Sequence, residues 1–268
     1  MKNIWLILFF FSLLFLTCSY YENNEINEIP NEIIIDGIYD KHLQGIAYDH
    51  ISKSFFASFT QSIIRIDLYG NVVNQVYLEG HHGDLAIIND LVYITYAREF
   101  NIGIDAQSKI KILSKELEVI DVKNINEVIY GAGCITYRKP YIYVSGGLKD
   151  VEDYNLIYSY DEDLNFVEKI VLPKYTKYGL QSMAYQKANR RFLLSAKFGK
   201  NQSEFFSVDS TFKILNNFKD YKDWGVEFVN NQLFLGINKE LYDSNGKSFS
   251  PEKHIGKIIK SNILKNHN

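Results

Sequence analysis

The feature that most constrains the fold of this chain is a five-residue motif that recurs five times. Each copy sets a large apolar residue between two residues that are usually small, and it ends on a larger side chain. Spacings of 39, 50, 48 and 43 residues separate the central residues of successive copies. A period of this length is typical of a repeat architecture. The central residues are Ile46, Leu85, Ile135, Met183 and Val226.

The second copy lies in residues 81–97, which have the pattern of a β-hairpin. Asn89 and Asp90 separate two apolar runs, and such a pair favours a two-residue turn because Asn and Asp tolerate positive φ. A second apolar run also follows each of the other copies. These second runs all end on a small or hydroxyl residue: Ser58, Thr95, Ser145, Ser195 and Gly236.

A third and a fourth strand are predicted in the first four repeats, joined by a turn that begins with Asp67, Ser114, Asp161 or Asp209. These side chains can bond the backbone of the turn. Four strands per repeat and a period in the forties are typical of a β-propeller blade. We therefore predict an all-β, five-bladed β-propeller. The strand at 31–38 should complete the last blade and close the ring, which leaves no open edge.

The first strands of the five blades should converge on the propeller axis, where there is least room for side chains. One face of each of these strands should therefore carry small side chains. Two positions in register fit this expectation, except that each contains one carboxylate, Asp84 or Glu227. The positions are Gly45, Asp84, Cys134, Ser182 and Gly225, and then Ala47, Ala86, Thr136, Ala184 and Glu227.

Two interpretations of these carboxylates are open, because an anion near the axis must be hydrated, paired or metal-bound. In the first, both lie at wet ends of the channel or accept backbone amides of neighbouring blades. In the second, Asp84 and Glu227 meet Gln44, His82 and Gln181 around a polar ligand or a cation. Oxygen ligands without a cysteine cluster suit calcium better than zinc. Asp84 is then also the candidate catalytic residue.

The N-terminal residues 1–18 predict an export signal. A charge-free apolar run from Ile4 to Leu16 is too short for an ordinary bilayer span and ends at Cys18. Residues 15–18 resemble the lipobox of bacterial lipoproteins, which implies lipidation of Cys18. Residues 19–31 read as a polar tether and 32–268 as the propeller domain. The location expected is the cell envelope, lipid-anchored in the periplasm or at the cell surface.

Cysteine count and charge exclude several classes of protein. Lipidation of Cys18 would leave Cys134 without a partner, so stability has to come from an ordinary core and not from disulfides. A net charge of -3 with mixed signs argues against nucleic acid and against a polybasic membrane surface. The predicted membrane contact is therefore the lipid anchor alone.

The repeats resemble those of the broad group of bacterial propellers that includes the NHL, lactonase-like and YncE-like proteins. Three motifs are also similar to the propeller-type glutaminyl cyclases: Gln44-Gly45, the acid after Gly83, and residues 226–234, VEFVNNQLF. This resemblance implies a channel site in which Gln44 binds substrate and Asp84 is the acid or base.

Two functional classes follow, since a fold does not fix a function. The first is a binding module that presents one propeller face to a small polar ligand, a glycan, a peptide or a protein. The second is an enzyme that uses the channel carboxylates in a reaction like that of a glutaminyl cyclase, a lactonase or another hydrolase.

Lipidation of Cys18 is directly testable. Wild-type protein should incorporate a fatty-acid analogue in metabolic labelling, and Cys18→Ser should not, because the lipid is attached through the Cys18 thiol. Cys134→Ser serves as the control and should label like the wild type. Equal labelling of the wild type and Cys18→Ser would contradict the prediction.

Overall fold

A computed structural model describes residues 28–98, 106–148, 154–199, 202–221 and 225–264. The predicted export signal, Cys18 and residues 19–27 of the predicted tether lie outside the described residues. In chain order the strands are β1 (Glu32–Ile34), β2 (Tyr39–Asp40), β3 (Leu43–Asp49), β4 (Ser54–Phe59), β5 (Ser62–Ile66), β6 (Val72–Tyr77), β7 (His81–Ile88), β8 (Leu91–Ala97), β9 (Lys109–Leu113), β10 (Val119–Asn124), β11 (Ala132–Arg138), β12 (Tyr141–Gly146), β13 (Asn155–Tyr160), β14 (Phe166–Leu172), β15 (Leu180–Gln186), β16 (Arg191–Gly199), β17 (Gln202–Asp209), β18 (Ile214–Tyr221), β19 (Gly225–Val229), β20 (Gln232–Tyr242) and β21 (Ser248–Ser261).

The strands form five antiparallel sheets, each of which is one blade of a β-propeller. Blades 1 to 4 contain four consecutive strands each, from β3–β6 through β15–β18. The described ranges contain no α-helix, and none of their segments has the helical length and apolar composition needed to cross a bilayer. The predicted all-β, five-bladed propeller is confirmed.

The first strands of the blades, β3, β7, β11, β15 and β19, surround the axis, and each contacts the next around the full circle. In blades 1 to 4 a β-bulge interrupts the pairing of this strand near its start. A bulge bends a strand and re-aims its side chains. The side chains of the residues that open the repeats therefore do not follow the regular alternation seen in the rest of each strand.

The short turns have the predicted chemistry. Asp67 Oδ1 accepts the amides of Tyr69 at 2.8 Å and of Asn71 at 3.0 Å. Asp161 and Asp209 make the same pair of bonds, and the Ser114 hydroxyl makes them at 3.2 Å. Each side chain thus satisfies two amides that would otherwise face solvent, which fixes the connection between the third and fourth strands.

The N-terminal strand β1 closes the ring, as predicted. It pairs with β21 in the last blade, where Glu32 lies opposite Ile259 and Ile34 opposite Lys257. Ile33 is 2% exposed and joins the apolar core between the last and first blades, whereas Ile34 is 58% exposed. β2 pairs with an earlier part of β21. Closure therefore rests on backbone pairing and on one buried side chain of β1.

We predict that Ile33→Ala lowers the free energy of unfolding by about 2 to 4 kcal/mol, because it leaves a cavity in the closing blade. Ile34→Ala, one residue away on the exposed face, is the matched control and should change it by less than about 0.5 kcal/mol. Chemical denaturation of both variants measures the difference. Equal losses would mean that burial of Ile33 does not hold the ring closed.

Candidate functional site

Asp84 extends across the propeller axis. Its side chain starts on β7 in blade 2, and its Oδ2 atom accepts the amide of Met183 in blade 4 at 3.0 Å. The residue is 1% exposed. The other oxygen, Oδ1, lies against the bare backbone of Gly45, where an added Cβ would be only 2.2 Å from it. A glycine is thus required at position 45, and Asp84 closes the axis.

The small residues of the first predicted column make room for this carboxylate. The β7 bulge falls between His82 and Leu85 and so contains Asp84. Ser182 lies close enough to interact with the Asp84 carboxylate, and the Cys134 thiol is within its electrostatic reach. The Asp84 carboxylate therefore occupies the space that the smaller side chains of the other blades leave.

Burial raises the pKa of Asp84 well above its usual value, because the charged form loses its hydration. Hydrogen bonding to Met183, Ser182 and Leu85 acts in the opposite direction, and the nearby carboxylate of Glu227 raises the pKa further. Oδ1 is buried and has no hydrogen-bond partner among the described residues. The neutral acid is thus the favoured form of this side chain.

Glu227 occupies the second predicted column, opposite Phe234 in the β19–β20 pairing. Its Oε1 atom accepts the amide of Phe228 at 2.8 Å, and part of the side chain keeps access to solvent. Burial raises its pKa to about 8. Each of the two exceptional carboxylates accepts a backbone amide, Asp84 from a blade across the ring and Glu227 from the next residue of its own strand.

Gln44 lies at the end of the ring where the first strands begin. Its Nε2 atom is 2.9 Å from Nε2 of His42, 3.2 Å from Nε2 of His81 and 3.4 Å from Oγ1 of Thr60. Gln44 itself is buried, whereas both imidazoles are partly exposed. We call His42, Gln44, Thr60 and His81 the mouth cluster. It brings side chains of two blades to one amide group.

An extension of the last blade stands beside the mouth cluster. Asn238 of β20 pairs with the backbone of Leu43, accepting its amide at 2.6 Å and donating to its carbonyl at 3.2 Å. This holds the adjacent strand β21 next to β3. His254 of β21 is 5% exposed, its ring centroid is 6.2 Å from that of His42, and neither of its ring nitrogens makes a hydrogen bond within the described chain.

His82 meets the mouth cluster at the backbone of Thr60, and not at the Gln44 amide. Its Nδ1 atom lies 2.9 Å from the carbonyl oxygen of Thr60, so Nδ1 carries the proton and donates it. The ring is fully buried beside Tyr96, and burial lowers its pKa to about 4. His82 is therefore a buried strand residue between blades 1 and 2. Its neighbour His81 faces the other way, as alternation along a strand requires.

The structure divides the five predicted ligand residues among separate places. Asp84 and Glu227 lie near the axis, Gln44 in the mouth cluster and His82 between blades, while Gln181 donates to the carbonyl of Tyr178 at 3.0 Å. None of the hydrogen bonds seen for Gln44, His82 and Gln181 reaches either carboxylate. Throughout the described ranges, no three His, Cys, Asp or Glu side chains are grouped to hold a metal ion.

Sequence reasoning missed four residues of this region, His42, Thr60, His81 and His254. His42 and Thr60 flank recognised strands but belong to no repeated position, and His254 lies in the least regular repeat. A search for polar residues just before the first strands would have found His42 beside His81. Nothing in the sequence indicates that β21 comes to lie beside them.

Comparisons with known proteins support the fold. No protein-family model and no curated protein sequence matches the chain. A structure titled nidogen/laminin complex aligns with a TM-score of 0.50 and 11% identity over 73% of this chain and 72% of that one. A Bacteroides caccae protein of unknown function aligns at 0.47 and 11%, over 72% and 69%. At 11% identity, the first of these alignments bears on the β-propeller architecture alone.

The raised pKa values predict a pH-dependent stability. Below about pH 4.5, Glu227 is protonated in both the folded and the unfolded chain. Between about pH 4.5 and about pH 8, Glu227 is deprotonated in the unfolded chain but still protonated in the folded chain. The free energy of unfolding therefore falls as the pH rises through this range. Asp84 acts with the same sign.

Glu227→Gln keeps the acceptor for the Phe228 amide but cannot ionise. It should therefore be close to the wild type at pH 4.5 and exceed it at pH 8 by up to roughly 4 kcal/mol, given about 1.4 kcal/mol for each pKa unit between about 4.5 and about 8. Asp84→Asn should behave alike, and the exposed-site control Glu79→Gln should melt like the wild type at both pH values. Thermal unfolding measures this, and a less stable Glu227→Gln at pH 8 would refute it.

Proposed function

We propose that this propeller is a binding module whose ligand occupies the mouth cluster. The observation that carries the proposal is the amide of Gln44 lying between the imidazoles of His42 and His81 at an accessible end of the ring. These groups and the Thr60 hydroxyl both donate and accept hydrogen bonds. A ligand that can both donate and accept hydrogen bonds fits these groups: a small polar molecule, a glycan, or a peptide segment of a protein.

The closed axis favours binding over catalysis by the carboxylates. A general acid or base has to come within hydrogen-bond distance of the group it protonates. Asp84 is 1% exposed and is held by the Met183 amide. A ligand at the mouth cluster therefore has no open path to this carboxylate in the observed conformation.

The proposed location gives the binding face a direction. We propose that the chain is exported and anchored in the cell envelope through lipid on Cys18, with residues 19–31 as the tether. β1 enters the ring beside Ile259, near the end of β21, whereas His254, beside the mouth cluster, lies in the middle of that strand. A tether of 13 residues reaches at most about 47 Å. The tether would then enter the ring away from the mouth cluster.

A second candidate function is an enzyme that uses the axial carboxylates. The observation in its favour is the raised pKa of both Asp84 and Glu227, since perturbed carboxylates concentrate at functional sites. A glutaminyl-cyclase-like activity would release ammonia from a peptide with N-terminal glutamine. Turnover that Asp84→Asn abolishes would favour this candidate, and no turnover by the wild type would remove the cyclase form of it.

Binding at the mouth cluster can be tested by titrating the chelator-treated protein with a panel of oligosaccharides and short peptides. For any ligand found, Gln44→Ala and His81→Ala should each weaken binding at least about tenfold, which corresponds to about 1.4 kcal/mol. His50→Ala is the matched control, because His50 is exposed at the opposite end of β3. Unchanged affinity in both mouth variants would place the ligand elsewhere.

A further inference from the structure

We propose that the mouth cluster binds a late first-row divalent metal ion, Zn²⁺, Ni²⁺ or Cu²⁺, through Nε2 of His42, Nε2 of His81 and the amide oxygen of Gln44. The inference rests on the proposed function only in taking the mouth cluster as the binding surface. It assigns to that surface an ion of different chemistry from calcium, because imidazole suits these metals and oxygen donors suit calcium.

The distances support three donors around one ion. Ligands bonded at about 2.0 to 2.1 Å are separated by about 2.9 Å at right angles and about 3.4 Å in a tetrahedron. The terminal nitrogen of Gln44 lies 2.9 Å from His42 Nε2 and 3.2 Å from His81 Nε2. A half-turn about the last side-chain bond puts the amide oxygen at that position, so two ligand-to-ligand edges already have coordination lengths.

Three charged side chains act on the imidazoles of this region: Lys41, Glu240 and Glu252. Lys41 opposes a second cation here, whereas Glu252, whose carboxylate is 3.6 Å from His254 Nε2, favours one.

His254 provides an independent indication of a ligand. It is a polar side chain 95% buried beside His42, and neither of its ring nitrogens makes a hydrogen bond within the described chain. The Glu252 carboxylate, 3.6 Å from Nε2, is too far away for a hydrogen bond, and a buried polar group that makes no hydrogen bond is costly. A metal bound at His42, with water in its remaining positions, would bring hydrogen-bonding groups next to this ring. Thr60 Oγ1, 3.4 Å from the Gln44 nitrogen, could hold such a water.

The test uses the full chain without an affinity tag, freed of metal by chelation and titrated with zinc chloride. We expect a 1:1 isotherm and a zinc-dependent rise in melting temperature, with no rise on adding calcium chloride. His42→Gln and His81→Gln should each weaken zinc binding at least about tenfold, and His50→Gln should bind like the wild type.

Substitution of Gln44 separates coordination from a structural role. Gln44→Glu presents a charged oxygen at the same length and should tighten zinc binding several-fold, whereas Gln44→Leu should weaken it. A flat isotherm for the wild type, or unchanged binding in both histidine variants, would overturn the metal site. Binding of a polar ligand in excess chelator would still support the proposed function, so the two can fail separately.

Discussion

The hydrogen bond from the Met183 amide to Asp84 joins the second blade to the fourth across the axis of the ring. It exists because Gly45 leaves bare backbone where any side chain would collide with the carboxylate. The small residues that let five strands meet also leave space for the Asp84 side chain between them. The axis is consequently closed by a polar group that contributes a bond, and not by an apolar plug.

Closing the axis separates the polar groups of the protein into two environments. Asp84 is buried and Glu227 is partly exposed, and the loss of hydration raises the pKa of each, so the neutral acids are favoured near the axis. The same effect lowers the pKa of His81 and of His254, which favours the neutral imidazoles. Burial therefore suppresses charge in both places. What distinguishes the mouth is access to solvent and the convergence of donors from different strands.

The repeat could be predicted because its determinants are local. The turn residues Asp67, Ser114, Asp161 and Asp209 bond amides two and four positions ahead, so their spacing is directly visible in the sequence. The small residues along the axis recur for a steric reason and stay in register. The closing strand was predictable as well, because a ring with an unassigned N-terminal strand and an irregular last repeat leaves one edge to pair.

The sequence by itself determined the five-bladed β-propeller, its turns, its closing strand and the unusual character of Asp84 and Glu227. Tertiary structure decided where the polar side chains go. His42, Thr60, His81 and His254 are far apart in the chain, and they meet near Gln44 because the bulge in β3 and the Asn238 contact to Leu43 place them there. Alternation along a strand fixes only which face a residue occupies, whereas bulges and contacts between blades fix its neighbours.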